Sequence, residues 1–174
     1  MTELARDANA NANANGNANG TAPRRTGPAL DPTDAGAFLT ELGLEFGEIG
    51  PTRVTAHLDL GPRHHTPWGI VHGGVYSTAV ESLASIGASA AVRERGMVAV
   101  GLTNTTHFLR AVAEGRVYLE AIALSQGGSQ QLWQVDVTDQ NGKRVAHGEV
   151  RLQNVPGRPR PIAKETKEAG ENNA

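Results

Sequence analysis

The sequence predicts an α+β domain in which one antiparallel sheet wraps around a single long buried helix. The segment 75–92 carries one charged residue, Glu81, and its apolar residues lie on nearly every side of a helix. That distribution is typical of a helix buried on all sides. Four strand-like stretches follow this segment and are separated by short turns, which favours antiparallel pairing.

Caps, periodicity and turn residues place the individual elements. Thr33 or Asp34 can cap a short helix that Gly43 stops, and Asn141-Gly142 is a strong hairpin signal. The predicted elements are this helix, ending at Leu42; strands Leu44–Ile49 and Arg53–Leu60; a loop over 61–69; the helix His72–Arg95; and strands Met97–Leu109, Arg116–Ser125, Gln130–Asp139 and Arg144–Asn154.

Composition narrows the class of protein. The 174 residues carry 16 Lys and Arg against 18 Asp and Glu, which argues against binding nucleic acid through phosphate neutralisation. The absence of cysteine excludes disulfides, thiolate zinc sites and a cysteine nucleophile, and is compatible with a cytoplasmic location. The segment 75–92 reaches membrane-spanning length only by including Glu81, so no membrane association is expected.

Two tails flank the predicted domain. Residues 1–30 form an Asn/Ala/Gly-rich tract without the apolar core of a signal peptide, and residues 157–174 are Pro-rich and then charged. Neither tail has enough apolar surface to offset the entropy lost on ordering. We therefore expect one folded domain over residues 34–156 between two disordered tails.

A narrow polar row follows the apolar helix at every fourth residue: Ser77, Glu81, Ser85 and Ser89. Such a row can face water or a partner helix. A solvated face usually carries several long charged side chains, however, whereas this row has one carboxylate among small hydroxyls. The helix also begins at Gly73-Gly74, where a carbonyl oxygen could approach the backbone N–H groups. That arrangement is typical of an oxyanion site.

The distance between these two features has a consequence for assembly. Gly73 and Glu81 are eight residues apart in the sequence, which is about 12 Å along a helix. One chain cannot place both groups on the same carbonyl. If both act on it, they come from two copies whose helices lie side by side and antiparallel, which predicts a two-fold homodimer with two shared sites.

The motif Trp68-Gly-Ile-Val-His-Gly-Gly-Val75, with Glu81 nine residues after His72, resembles the hotdog-fold acyl-CoA thioesterases. It is most similar to the phenylacetate-pathway type and the Glu-dependent 4-hydroxybenzoyl-CoA type. Residues 130–133 and 150–154 look still closer to small actinobacterial members. The resemblance covers about residues 34–156 and includes Val100–Arg110, the Glu114-Gly115 turn and the hairpin Asp139–Val145.

This resemblance implies a five- or six-stranded sheet around a central helix, assembled into homodimers and often homotetramers. It implies that the Gly73 N–H polarises the thioester carbonyl and that Glu81 of the other copy acts as nucleophile or as general base on water. Ser85 stands where the Glu-dependent group has an assisting Thr. Thr66 replaces the family's Gln or Asn, so Thr66 or His65 is expected to orient water or the leaving group.

Other residues have weaker assignments. His72 is expected to position the helix start, although a catalytic role stays open. The expected substrate-binding residues also include Gly74 at the helix start and Asn104 and Thr105 on a polar strand. Gly127-Gly128 is most simply a hairpin turn, and the resemblance implies that Gly128, Ser129 and Gln130 contact the coenzyme A nucleotide. Asn104 and Thr105 are equally compatible with satisfying neighbouring backbone groups. Candidate phosphate partners that are equally plausible as surface arginines are Arg110, Arg151 and Arg158.

Two kinds of site are not expected. The adjacent residues His64 and His65 would point apart on a strand and have no third ligand at a suitable spacing, so no metal site is expected. A serine-hydrolase triad has no support, because the sequence lacks a Gly-x-Ser-x-Gly motif.

The sequence therefore predicts a cytoplasmic, homo-oligomeric thioesterase that hydrolyses an acyl-CoA to a free acid and coenzyme A. No metal or redox cofactor is expected, and coenzyme A is part of the substrate. Two alternatives remain open. One is a hotdog hydratase or dehydratase that acts on an acyl thioester, and the other is a non-catalytic module that binds acyl-CoA or a small aromatic ligand.

Overall fold

The protein folds as a six-stranded antiparallel sheet packed around one long helix, as predicted. The computed structural model describes residues 36–157. Its elements are α1 (Gly36–Leu42), β1 (Leu44–Ile49), β2 (Arg53–Leu60), α2 (Gly73–Val92), β3 (Met97–Phe108), β4 (Gly115–Gln126), β5 (Gln130–Asp139) and β6 (Arg144–Pro156), with 3-10 turns at Pro62–His64 and Arg93–Arg95. The predicted capping residues Thr33 and Asp34 and both predicted tails, apart from Gly157, lie outside the described residues.

The strand order is β1-β2-β4-β5-β6-β3, so β3 forms one edge of the sheet. The strand pairs with β6, from Met97 opposite Pro156 to Phe108 opposite Ala146. β3 and β4 are therefore not hairpin neighbours, although only the short segment 109–114 joins them. Local turn signals locate the end of a strand but do not encode which strand it pairs with.

The long helix begins and ends close to its predicted bounds. His72 is its N-cap, and a 3-10 turn continues the helix through Arg95. The helix contacts every strand of the sheet, but only one of its faces is buried. The face that carries Glu81 and Ser85 is half-buried, so the prediction of a helix buried on all sides is wrong for a single chain.

Small residues on the buried face allow close approach. A Cβ atom added at Gly87 would lie 2.5 Å from Trp133 Cη2 and 2.9 Å from Val54 Cγ2. The lack of a side chain at Gly87 therefore allows Trp133 and β2 to pack closely against the helix.

No helix within residues 36–157 combines the length and the apolarity that crossing a bilayer requires.

We expect Gly87→Ala to destabilise the protein. Overpacking a buried site costs about 1–3 kcal/mol, which exceeds the gain of about 1 kcal/mol that alanine has over glycine in a helix. Trp133 is fully buried and its ring cannot move into solvent. Urea unfolding followed by circular dichroism should show a net loss of up to about 2 kcal/mol.

The matched control is Gly61→Ala. Gly61 has an extended backbone with φ −170°, and an added Cβ would meet no atom within 4 Å. Its free energy of unfolding should stay within about 0.5 kcal/mol of the wild type. Equal or higher stability of Gly87→Ala would contradict the packing argument.

Candidate active site

The polar row of α2 packs against the edge strand β3. Near the C-terminal end of the helix, the Ser89 hydroxyl accepts a hydrogen bond from the Ala99 N–H, at 3.1 Å. In the first half, Asn104 Nδ2 donates to the Ser77 carbonyl at 3.0 Å and to Glu81 Oε2 at 3.2 Å. The row is thus a polar seam between helix and strand within one chain.

Glu81 is held by donors on both of its oxygens. The Ser85 hydroxyl, one turn later on α2, donates to Oε1 at 3.1 Å. Asn104 donates to Oε2, and its own amide is fixed because Thr106 Oγ1 donates to Asn104 Oδ1 at 2.7 Å. Each carboxylate oxygen keeps a further lone pair. Glu81 is half-buried, and these hydrogen bonds fix the orientation of its carboxylate. A general base or a nucleophile needs such a fixed position.

Gly101 makes room for this carboxylate. A Cβ atom at Gly101 would lie 2.5 Å from Glu81 Oε1, so any larger residue in this place would displace the carboxylate. The pairing of β3 with β6 shifts register between Gly101 and Thr103. Gly101 is not among the residues predicted for the site, although a glycine inside a strand is a known signal of close approach.

At the start of α2, one backbone N–H is left open. The His72 ring caps the helix, since its Nδ1 accepts from the Gly74 N–H at 2.9 Å. The Val75 N–H donates to the His72 carbonyl. Within residues 36–157 the Gly73 N–H has no hydrogen-bond acceptor. The Gly74 amide is thus used by the cap, and the Gly73 amide is available to a ligand.

An aromatic pair flanks this open amide. A Cβ atom at Gly73 would lie 2.8 Å from Phe108 Cζ, and the Phe108 and Tyr76 ring centroids are 6.4 Å apart. Tyr76 is buried, and its hydroxyl has no hydrogen-bond partner among the described residues. Burial raises the pKa of Tyr76 to about 12, so the hydroxyl keeps its proton at neutral pH. The surface beside the Gly73 N–H is therefore aromatic and uncharged.

His65 and Thr66 bind the backbone of neighbouring loops. His65 Nε2 lies 2.6 Å from the Ala113 carbonyl oxygen. The Thr66 hydroxyl and N–H both donate to the Ile70 carbonyl, at 3.1 and 2.7 Å. Neither side chain hydrogen-bonds to Glu81 within the described part of one chain. Their expected role in orienting water or the leaving group stays a prediction.

His64 is a buried structural residue. Its Nδ1 accepts from the Gly61 N–H at 3.1 Å, which leaves the proton on Nε2, 2.9 Å from the Leu42 carbonyl oxygen. His64 thereby fastens the loop after β2 to the end of α1. Among residues 36–157, no three His, Asp or Glu side chains are grouped so that they could hold a metal ion.

The predicted nucleotide-binding residues lie in the β4–β5 hairpin, near the C-terminal end of α2. Arg95 Nη2, just beyond α2, donates to the Gly128 carbonyl at 2.9 Å. Gln130 Nε2 donates to Gln153 Oε1 at 3.3 Å. The hairpin and the Gly73 amide are thus at opposite ends of the same helix. Within one chain, the structure therefore does not bring the predicted nucleotide-binding residues of the hairpin close to the predicted oxyanion donor at Gly73.

The remaining predicted residues that the structure describes lie at the surface of the sheet or next to it. Thr105 is exposed on β3, opposite Glu149 in register. Arg110 forms an ion pair with Asp139, with 3.4 Å between Nη1 and Oδ2. Arg151 is exposed on β6, and Arg158 lies outside the described residues.

Comparison with known proteins gives the family. A sequence model of the protein family described as "Thioesterase superfamily" matches residues 69–146. The proofreading thioesterase EntH of Cronobacter turicensis is 30% identical over 116 residues, which cover 67% of this chain and 84% of that protein. S. sahachiroi AziG has a solved structure with a TM-score of 0.68 and 37% identity, covering 71% of this chain and 99% of that one.

The candidate esterase Rv1847 of Mycobacterium tuberculosis is 45% identical over 124 residues, which cover 70% of this chain and 89% of the relative. Its solved structure covers 70% of this chain and 98% of its own, with a TM-score of 0.68. Residues 69–146, which the family model matches, contain the helix start and the polar row. This chain belongs to the thioesterase superfamily and has its hotdog fold.

Proposed function

We propose that this protein hydrolyses an acyl-CoA to a free acid and coenzyme A. The observation that carries the proposal is Glu81, the single carboxylate of the central helix, oriented by hydrogen bonds from Ser85 and Asn104. Membership of the thioesterase superfamily supports thioester hydrolysis. The resemblance of the helix-start motif to the phenylacetate-pathway and 4-hydroxybenzoyl-CoA types supports coenzyme A as the thiol carrier.

In the proposed reaction, the thioester carbonyl accepts a hydrogen bond from the open Gly73 N–H. This donor stabilises the negative charge that develops on the oxygen. Glu81 either takes a proton from the attacking water or attacks the carbonyl carbon itself. In the first route, water adds to the carbonyl carbon, the C–S bond breaks, and the proton that Glu81 took from water passes to the coenzyme A sulfur. In the second route, Glu81 displaces the thiolate and forms a mixed anhydride. Water then cleaves the anhydride, which regenerates Glu81, yields the free acid and supplies the proton of the thiol.

The proposed site is shared between two copies of the chain. Gly73 and Glu81 of one chain are about 12 Å apart along α2, too far to act on one carbonyl. The outer edge of β3 has no strand partner among residues 36–157, and it exposes Val98, Val100 and Leu102. An uncovered apolar edge strand favours pairing with another chain. Pairing of two β3 edges would bring the polar row of one chain close to the helix start of the other.

The same arrangement accommodates the length of coenzyme A. The β4–β5 hairpin contacts α2 near Ala88. Ala88 is fifteen residues from Gly73 and seven from Glu81, so the axial distances are about 22 and 10 Å. The nucleotide is therefore expected on the chain that supplies Glu81, while the carbonyl rests on the Gly73 N–H of the other. Assembly of such dimers into a homotetramer would use surfaces outside this shared site.

Glu81→Gln should reduce hydrolysis by about 10²–10⁴-fold while acyl-CoA still binds, because the amide cannot accept a proton or attack. The measurement is release of free thiol from a panel of aromatic and aliphatic acyl-CoAs. The protein contains no cysteine, so the thiol background is low. The matched control is Glu149→Gln, which changes an exposed carboxylate on β6 and should keep wild-type activity.

Persistence of activity in Glu81→Gln would contradict the proposed role of this carboxylate. If the wild type binds acyl-CoA but releases no thiol from any substrate, the proposed hydrolysis is wrong for that panel. The non-catalytic binding module then becomes the better assignment.

Gly73→Pro tests the open amide and the shared site. Proline is tolerated at the first helical position, and His72 has the extended backbone (φ −67°, ψ 131°) that suits a residue before proline. The variant loses the N–H and should lose about 10²–10³-fold in kcat. Gly73→Ala is the control, because it adds the same Cβ beside Phe108 but retains the N–H.

Co-expression of Gly73→Pro with Glu81→Gln should restore activity. Half of randomly mixed dimers contain one chain of each variant. Each such dimer has one intact shared site and one site with both substitutions, so about one quarter of wild-type activity is expected. A site built within one chain would give no recovery. Size-exclusion chromatography of both variants checks that they still assemble.

Gly101→Ala should reduce kcat without unfolding the protein. The new methyl group would push against Glu81 Oε1, which is the movable end of a long side chain, so the cost to stability is small. Displacement of a catalytic group by about 1 Å costs up to about 10²-fold in rate. Gly61→Ala again serves as the control. Unchanged kcat in Gly101→Ala would show that the position of the carboxylate is not critical.

A further inference from the structure

Two amide side chains are buried beside the β4–β5 hairpin. Gln131 on β5 is 2% exposed and Asn154 on β6 is 5% exposed. Burying an amide is costly unless its polar atoms are hydrogen-bonded. Both amides meet this condition, because the oxygen and the nitrogen of each have partners.

Gln131 orients Asn154. Gln131 Nε2 donates to the carbonyl of Ala88 in α2 at 2.9 Å and to Asn154 Oδ1 at 2.8 Å. Gln131 Oε1 accepts from Trp133 Nε1 at 3.1 Å, which fixes the Gln131 amide in turn. The oxygen of Asn154 therefore faces the core, and its NH₂ group faces the hairpin.

Asn154 then binds three successive carbonyls of the hairpin. Its Nδ2 donates to the Gly127 and Gly128 carbonyls at 3.1 and 3.2 Å. Its backbone N–H donates to the Ser129 carbonyl at 2.8 Å. In a planar trans peptide the N–H points opposite to the C=O of the same peptide unit. The N–H groups of Gly128, Ser129 and Gln130 therefore point away from Asn154.

These outward N–H groups suit an anion. Neither the Gly128 nor the Ser129 N–H has an acceptor within residues 36–157. A Cβ atom at Gly128 would meet nothing within 4 Å, so the approach is open. Arg95 donates to the Gly128 carbonyl, so its charge lies on the carbonyl side of this peptide and not beside the outward N–H groups. An exposed backbone N–H without an acceptor can donate to a phosphate oxygen.

We propose that Asn154, oriented by Gln131, is a positioning residue that sets the affinity for the phosphate-bearing end of coenzyme A. It does so by turning the hairpin N–H groups outward, and it does not touch the thioester. The inference rests on the proposed function, in which this hairpin holds the nucleotide. It adds a buried determinant of affinity far from the reacting carbonyl.

The test compares two thioesters of the same acyl group, one on coenzyme A and one on N-acetylcysteamine, which lacks the nucleotide. Asn154→Leu removes the donor with little change in volume. Gln131→Met removes the orienting amide but leaves Asn154 in place. Val137→Ala, a fully buried substitution near the other end of β5, controls for loss of stability. Binding of free coenzyme A is measured by calorimetry on every variant.

In both amide variants, kcat/KM for the acyl-CoA should fall about tenfold through KM, with kcat at saturation nearly unchanged. kcat/KM for the N-acetylcysteamine thioester should change less than about twofold. The calorimetric Kd for coenzyme A should rise in parallel with KM. Val137→Ala should leave the ratio of the two kcat/KM values at its wild-type level.

An equal fall on both thioesters would overturn the proposal, since it would indicate a purely structural role. Unchanged acyl-CoA kinetics would also overturn it. If the wild type hydrolyses neither thioester, the proposed hydrolysis fails, and calorimetry then decides this inference separately. Weaker coenzyme A binding in Asn154→Leu would support it, and equal binding would reject it.

Discussion

The structure depends on placing one carboxylate on the half-buried face of a helix whose opposite face packs into the apolar core. Removing a charged group from water is costly unless hydrogen bonds replace the lost solvent. Ser85 supplies one such bond from the next helical turn, and Asn104 supplies another from β3. Gly101 leaves space for the carboxylate, and Thr106 fixes the Asn104 amide. The polar middle of an edge strand is thus explained by what the helix presents to it.

Close packing on the other side of α2 has a second effect. Because Gly87 has no side chain, Trp133 can lie against the helix. The indole N–H then needs a partner in the core, and Gln131 provides it. Gln131 in turn orients Asn154, which binds the β4–β5 hairpin. Packing of the aliphatic core and the shape of a surface hairpin are therefore connected through one continuous set of hydrogen bonds.

The geometry of a helix also separates the functional groups. An open N–H at Gly73, a carboxylate at Glu81 and the hairpin near Ala88 lie along one axis. The rise per residue along α2 keeps these three groups about 10–22 Å apart within one chain. If two chains pair with their helices antiparallel, the Gly73 N–H of one chain comes close to the Glu81 carboxylate of the other. In the proposed dimer, assembly completes the site, and a folded single chain holds its parts without combining them.

Hydrophobic periodicity and turn residues act over a few neighbouring positions, so the amino-acid sequence is enough to locate the elements of this protein. Strands Leu44–Ile49 and Arg53–Leu60 have their predicted bounds, and the apolar helix with its polar row is visible in the sequence alone. Three features emerge only in the folded chain: β3 pairs with β6 at the sheet edge, Asn104 binds Glu81, and Asn154 binds the hairpin. The two side-chain contacts join residues that are 23 or more positions apart. Which residues meet in these contacts depends on how the whole sheet packs on the helix, and no local pattern of residues encodes it.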